Sequence, residues 1–389
     1  MIARVSRDDI PALMARHQPA IVQDALAAWR PAELWSPQHL LDTVGHCPVR
    51  VSVADDGRFD YEATRDPIMR QELASKEMAF ADAARTIMNG TGDGLLYVMQ
   101  QSIPRVLPDL MANVVVPEWV NAANVDINLW FGQRTVTPLH FDYANNFFAQ
   151  LHGIKQFTIF APQDTDLLYP YPQEMRIAHA SHVDPDCVDS SLYPKYRAAV
   201  PIRFELNAGE LLFLPAFWWH QVRSTHLSVS VSFWWPPQVA QFIDSPNSTR
   251  ALYRMYAADR LAHFKQVWLE PNKLTFAAAA TLLLRQRRNW AAGTLALAAF
   301  DEAACCALGV HGVRKSRGCA LSDLWREFEP LCKQIASRRA LSAVHRSVLE
   351  RTPSLAASAA CCDDDRIDPQ EVADLLRLVT VLQLVRPAA

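Results

Sequence analysis

Two histidines and an aspartate in this chain have the residue types and spacing to hold a metal ion. In Thr137-Pro-Leu-His140-Phe-Asp142 an imidazole and a carboxylate stand two residues apart, and on a β-strand residues two apart project to the same face. A second imidazole must come from another strand. His220, in Phe217-Trp-Trp-His220, follows a strand and a proline turn. Two imidazoles and one carboxylate on one side of a metal leave three open positions. That arrangement suits Fe(II) oxygen chemistry, in which a cosubstrate and oxygen both bind the metal directly. Asp142 argues against halogenation, which needs that ligand position vacated for chloride. An HxD pair alone is a common tripeptide, and a lone histidine in an apolar strand is more often a packed core residue than a ligand, so the weight falls on its neighbours.

Lys155 is the first of these, within Gly153-Ile-Lys155-Gln-Phe-Thr-Ile-Phe. A lysine in so apolar a strand is costly to bury unless an anion meets its charge. A dicarboxylate held on the metal by its keto-acid end would present its far carboxylate at about this depth. Without the metal motif, an edge-strand lysine pointing to solvent would be the simpler reading. The Thr137 hydroxyl is placed to bind the same carboxylate, or else serves a turn. Asn146, Phe148 and Gln150 share one strand face, so two of the three are expected to line one cavity.

The elements that must position these groups are strands. Leu95 to Gln101, Val125 to Phe131, Asn146 to His152, Ile154 to Phe160, Arg203 to Leu206, Leu211 to Leu214, Trp218 to Arg223 and Leu227 to Trp235 are rich in β-branched and aromatic residues. In the last, Leu227, Val229, Val231 and Phe233 alternate with Ser228, Ser230, Ser232 and Trp234. Many short strands with Gly and Pro at the turns point to a mainly β jelly roll. Residues 173 to 199 are an irregular excursion, expected over the barrel mouth. Residues 1 to 94 read as an N-terminal α/β segment, with helices near Arg7 to Arg16 and Pro37 to Val44, the second introduced by Ser36, and a short strand at Pro19-Ala-Ile-Val. The core then covers 95 to 237. After Pro236-Pro237, residues 238 to 389 form an Ala-, Leu- and Arg-rich helical region, with Ser354 or Asp368 starting a late helix.

The stretch from Thr137 through His140, Asp142, Asn146 and Phe148 to Lys155, with the later block Leu206-Asn-Ala-Gly-Glu-Leu-Leu-Phe-Leu-Pro-Ala-Phe-Trp-Trp-His220, resembles the JmjC, cupin-like oxygenases, and among them especially the asparaginyl hydroxylases. The opening Pro19-Ala-Ile-Val through Trp35 joins the likeness, which covers residues 15 to 237. The resemblance implies a double-stranded β-helix, Fe(II), 2-oxoglutarate and oxygen. It assigns His140, Asp142 and His220 to iron, Lys155 and Thr137 to the distal carboxylate of 2-oxoglutarate, and Asn146 to the metal-chelating end, with Phe148 and Trp234 as cavity walls. Two positions depart from the pattern. Ser232 stands where an asparagine is expected, which exchanges an amide contact near the metal for a hydroxyl. The tyrosine that helps to hold the distal carboxylate is Tyr97 or is lost: anchoring the alignment on Gln100-Gln101 puts Val98 at its place, and a one-residue shift moves a side chain to the other face of a strand.

The implied activity is hydroxylation of a side chain in a peptide or protein, with release of succinate and CO2. Its rivals are hydroxylation of a small molecule or natural product, lysine demethylation through the same iron site, and a binding module that has lost catalysis. The net charge of −3 gives no global reason to expect nucleic acid or an anionic membrane as partner. The N-terminus has no unbroken apolar stretch followed by a small-residue cleavage site, so no secretory signal is read. Eight cysteines, at 47, 187, 305, 306, 319, 332, 361 and 362, form no CxxC pair, which fits reduced thiols in a cytoplasmic protein better than a zinc ribbon or a disulfide framework. The apolar stripes after residue 248 are expected to be buried in a homodimer formed through the C-terminal helices.

Overall fold

The strand Ser228–Trp235 has its two faces in different surroundings. Val229, Val231 and Phe233 enter the larger apolar core, and the serines and Trp234 between them face the opposite way. The computed structural model describes residues 1–389 apart from 24, 60–73, 92–93, 122–123, 174, 176, 258–259, 309–320, 338–340, 360–366 and 385–389. It divides into two compact units, Met1–Pro237 and Gln238–Ala389.

The described residues of the first unit include fourteen strands: β1 (Ala3–Val5), β2 (Ala20–Val22), β3 (Pro48–Ala54), β4 (Ser75–Ala79), β5 (Leu95–Ser102), β6 (Asp126–Gly132), β7 (Thr135–Val136), β8 (His140–Phe141), β9 (Asn145–His152), β10 (Ile154–Phe160), β11 (Ile202–Asn207), β12 (Leu211–Leu214), β13 (Trp219–Ser224) and β14 (Ser228–Trp235). A nine-stranded sheet runs β1-β2-β12-β9-β14-β6-β5-β3-β4, and a five-stranded sheet runs β11-β10-β13-β7 with β8 also paired to β13. The expected jelly-roll core is present as two packed sheets with no closed barrel. Between them lies a small apolar core, with Ile21, Phe148, Leu212 and Leu214 from one sheet meeting Phe157, Ile159 and Leu206 from the other. Gly153, at φ +71°, turns the chain from β9 in one sheet into β10 in the other. A Cβ there would run into the carbonyl oxygen of Leu227, so only glycine makes this corner without displacing β14.

The outer face of the large sheet is covered by the N-terminal elements. Ser36 caps the helix Pro37–Val44 by accepting from the His39 amide at 3.2 Å, a contact that stabilises a helix by about 1 kcal/mol. The helix puts Leu40 and Val44 into the outer core. The N-terminal segment carries more β-structure than its sequence announced. β3 and β4 pair along one edge of the large sheet, and β1 and β2 form the other edge. In β3, Val49, Val51 and Val53 alternate with Arg50 and Ser52 and face the outer core.

The second unit is helical throughout its described residues. The helix Asn289–Leu308 is buried nearly all round through Trp290, Leu295, Ala296 and Phe300, and the helix Pro369–Leu384 packs along it with Leu375, Leu378 and Leu382 buried. Asp368 immediately precedes that last helix, whereas Ser354 lies inside the helix Ala343–Ala359 and starts nothing. Among the side chains described in this unit, Leu384 is the only large apolar one that is exposed. Cys47, Cys187, Cys306 and Cys332 are free thiols, while Cys319, Cys361 and Cys362 lie outside the described residues. Among the described residues no helix is long and apolar enough to cross a membrane.

Candidate metal centre

β8 is only two residues long, and both of its edges are engaged. On one side it pairs with β13 in a register that sets His140 directly opposite His220. On the other, the excursion closes against it: the Phe141 amide donates to the His179 carbonyl at 2.9 Å, and the Ser181 amide to the Leu139 carbonyl at 2.8 Å. The excursion is therefore a clamp on this strand and reaches it in β-like pairing at Ala180. Asp142 lies one residue past the end of β8. Its carbonyl accepts from the Phe217 amide at 2.8 Å, and Phe217 takes a left-handed φ of 69°. That conformation is uncommon for a bulky residue. The Asn145 side chain ties the same two loops together by accepting from the Ala216 amide at 3.0 Å.

The three side chains converge. His140 Nε2 is 4.0 Å from Asp142 Oδ1, and His220 Nε2 is 3.7 Å from Asp142 Oδ2. One ligand atom from each lies within 4.8 Å of the others. The opposite ring nitrogens are bound to backbone: His140 Nδ1 donates to the Pro138 carbonyl at 2.8 Å, and His220 Nδ1 to the Trp218 carbonyl at 3.0 Å. A carbonyl only accepts, so each Nδ1 carries a proton and each Nε2 faces the common centre. Burial, reinforced by His140, pushes the His220 imidazole down to about 4. Near neutral pH it is uncharged, as a metal ligand must be.

At the other end of the inter-sheet space, Lys155 is almost wholly buried. Its Nζ donates to the Tyr97 hydroxyl at 3.0 Å and lies 5.1, 5.5 and 5.8 Å from the ring centres of Phe148, Tyr97 and Trp130. Among the described residues no carboxylate pairs with it. Burial lowers the ammonium to about 7 and raises the Tyr97 phenol above its ordinary range. Tyr97 is thus brought to Lys155, while Val98 faces the outer core.

Between the two ends the inner face of the large sheet is polar. Asn146 Oδ1 and Trp234 Nε1 are buried without a partner, on residues directly opposed across the β9–β14 ladder. Ser232 Oγ accepts from Trp130 Nε1 at 2.9 Å. The Thr137 hydroxyl accepts from the Val222 amide at 3.0 Å and so sits on β13 beside the column that carries His220. Gln150 closes the floor. Its amide nitrogen donates to the His152 carbonyl and to Ser228 Oγ, and its Oε1 accepts from Ser230 Oγ. Trp130 and Asn128 were not singled out from sequence. Ile127, Leu129 and Phe131 belong to the outer core, and strict alternation turns Asn128 and Trp130 inward.

A family model described as a cupin-like domain matches residues 10–241. The chain is 28% identical over 226 residues to Jumonji C domain-containing protein 5 of Drosophila melanogaster, covering 56% of this chain and 54% of that protein. It is 28% identical over 224 residues to lysine-specific demethylase 8 of Xenopus tropicalis, covering 56% and 48%. It is 29% identical over 249 residues to the human bifunctional peptidase and (3S)-lysyl hydroxylase JMJD7, covering 56% and 77%. The chain spans about half the length of the first two of these relatives.

Proposed function

We propose that this chain, which belongs to the cupin-like domain family, is an Fe(II)- and 2-oxoglutarate-dependent oxygenase that hydroxylates a side chain of a peptide or protein. The observation that carries the reading is an inter-sheet space with complementary ends: two imidazoles and a carboxylate converge at one, and at the other lies a buried lysine that no carboxylate among the described residues pairs with. The unpartnered Asn146 Oδ1 and Trp234 Nε1 between them fit a polar guest, since buried polar groups otherwise find partners.

Bound at His140, Asp142 and His220, Fe(II) supplies oxygen activation coupled to decarboxylation of the 2-oxo acid. The chain supplies orientation and dryness. The Pro138 and Trp218 carbonyls fix the imidazole tautomers. Lys155 and the Tyr97 hydroxyl hold the distal carboxylate, with the Thr137 hydroxyl beside them. Asn146 meets the chelating end. Phe148 and Trp234 wall the cavity, where exclusion of water strengthens each of these contacts.

Relatives named for lysine demethylation and lysyl hydroxylation favour a peptide or protein side chain over a small molecule. A pure binding module has no need to keep this set together. Both relatives' reactions run from one site, and hydroxylation is the simpler outcome of hydrogen abstraction followed by oxygen transfer. Unpaired thiols at Cys47, Cys187, Cys306 and Cys332 fit a cytoplasmic setting. The test is mass spectrometry of peptides and cell lysate after incubation with enzyme, Fe(II), ascorbate and 2-oxoglutarate. A gain of one oxygen on a side chain, with matching succinate, supports the reading. Loss of a methyl group would assign demethylation, and no succinate with any substrate would remove the oxygenase.

A further inference from the structure

One buried polar group on the inner face of the large sheet has no role in the scheme above. Asn128, on β6, is 5% exposed, and its amide nitrogen Nδ2 meets no acceptor. A buried donor left unpaired costs as much as a lost hydrogen bond, so its persistence calls for a partner that arrives from outside. Its place in the ladder says where. Asn128 stands directly opposite Ser232, and Ser232 directly opposite Phe148. On one side of this row lies the row of Trp234 and Asn146, and Asn146 stands four residues after Asp142 near the start of β9. On the other side lies Trp130, which joins Tyr97 and Phe148 around the Lys155 ammonium. The Asn128 row therefore lies between the Trp130 row and the Asn146 row, and its own Phe148 ring is 5.1 Å from the Lys155 ammonium. Ser232, its partner across the ladder, is short and already bound to Trp130 Nε1.

We infer that Asn128 is a cosubstrate-binding residue, its Nδ2 donating to an oxygen of the 2-oxo acid that spans the cavity from Lys155 to the metal ligands. The inference rests on the oxygenase reading. It makes Asn128 the source of the amide contact that the serine at 232 does not offer, moved one strand across the sheet.

The experiment is calorimetric titration of 2-oxoglutarate into the full-length, Fe(II)-loaded protein without oxygen, with metal content and melting temperature measured alongside. Asn128→Leu is expected to weaken binding about tenfold and leave metal content unchanged, and the isosteric Asn128→Asp, which sets a carboxylate against an anion, to weaken it more than tenfold. Adding Ser232→Asn to Asn128→Leu returns an amide to the same row and is expected to recover most of the affinity. Wild-type affinity in a folded Asn128→Asp protein overturns the inference and leaves the oxygenase reading standing. Failure of the unaltered holoprotein to bind 2-oxoglutarate overturns both.

Discussion

The two ends of the inter-sheet space are built on different plans. At the metal end each histidine is fixed by the carbonyl two residues before it in its own segment, Pro138 for His140 and Trp218 for His220. At the far end Lys155 is held by side chains from β5, β6 and β9, none of them its sequence neighbours. The same force, loss of water, acts on both ends with opposite results. It drives His220 down to about 4, clear of the neutral range, and drives Lys155 down to about 7, into the middle of it. His220 is therefore uncharged near neutrality, and Lys155 is poised.

Breaking the metal end has the largest expected effect. His140→Ala or His220→Ala removes one of three ligands, and elemental analysis of the purified variants should show most of the iron gone. Wild-type metal content in both would refute the ligand assignment. At the far end, Lys155→Ala should leave metal content intact and weaken 2-oxoglutarate binding by about 2–5 kcal/mol, because the distal carboxylate would be buried unpaired. Unchanged affinity by calorimetry would take that role from Lys155.

The same contrast decides what could be read in the sequence. The metal end is local: a two-residue spacing on one strand and a histidine after a proline turn announce His140, Asp142 and His220 without knowledge of the sheet. Lys155 was legible because a cation inside an apolar run is conspicuous. Its companions were not, because they are set by register between strands. Tyr97 shows why. The β5–β6 ladder changes register between Val98 and Gln101, and Gln100 in that interval has a φ of 53°. Counting back from Gln100-Gln101 crosses this bulge and lands one residue off, on Val98, which faces the outer core. Trp130 and Asn128 were hidden differently. They alternate with apolar residues in a strand whose two faces are both buried, and nothing in the strand itself says which face lines a cavity.

The poised lysine makes a smaller prediction that still separates the ends. Below about 7 the Lys155 ammonium is charged and ready for a carboxylate; above it, a proton must be taken up for the same contact to form. The carboxylates of the acid are already ionised across this range. Affinity for 2-oxoglutarate should be flat below pH 7 and fall about tenfold per unit as pH rises beyond it. Lys155→Ala should abolish the slope. A slope that persists in that variant would place the titrating group elsewhere.

The smallest expected effect comes from one oxygen atom. Tyr97→Phe removes the hydroxyl that accepts from Lys155 Nζ at 3.0 Å but keeps the ring, which packs 5.2 Å from Phe59 and 6.0 Å from Trp130. The box around the ammonium therefore stays closed, and the loss should be that of a single hydrogen bond, about 0.5–1.5 kcal/mol in 2-oxoglutarate affinity. The hydroxyl supports the charged form of the lysine, so its removal should lower the Lys155 pKa and move the onset of the pH-dependent fall below 7. These two effects distinguish two roles for the phenol. If it acts only through Lys155, then Tyr97→Phe on top of Lys155→Ala adds nothing, and the double-variant cycle shows strong coupling. If it also donates its own proton to the distal carboxylate, the second substitution still weakens binding in the Lys155→Ala background. Its proton is free for that purpose, because burial holds the phenol protonated across the whole working range.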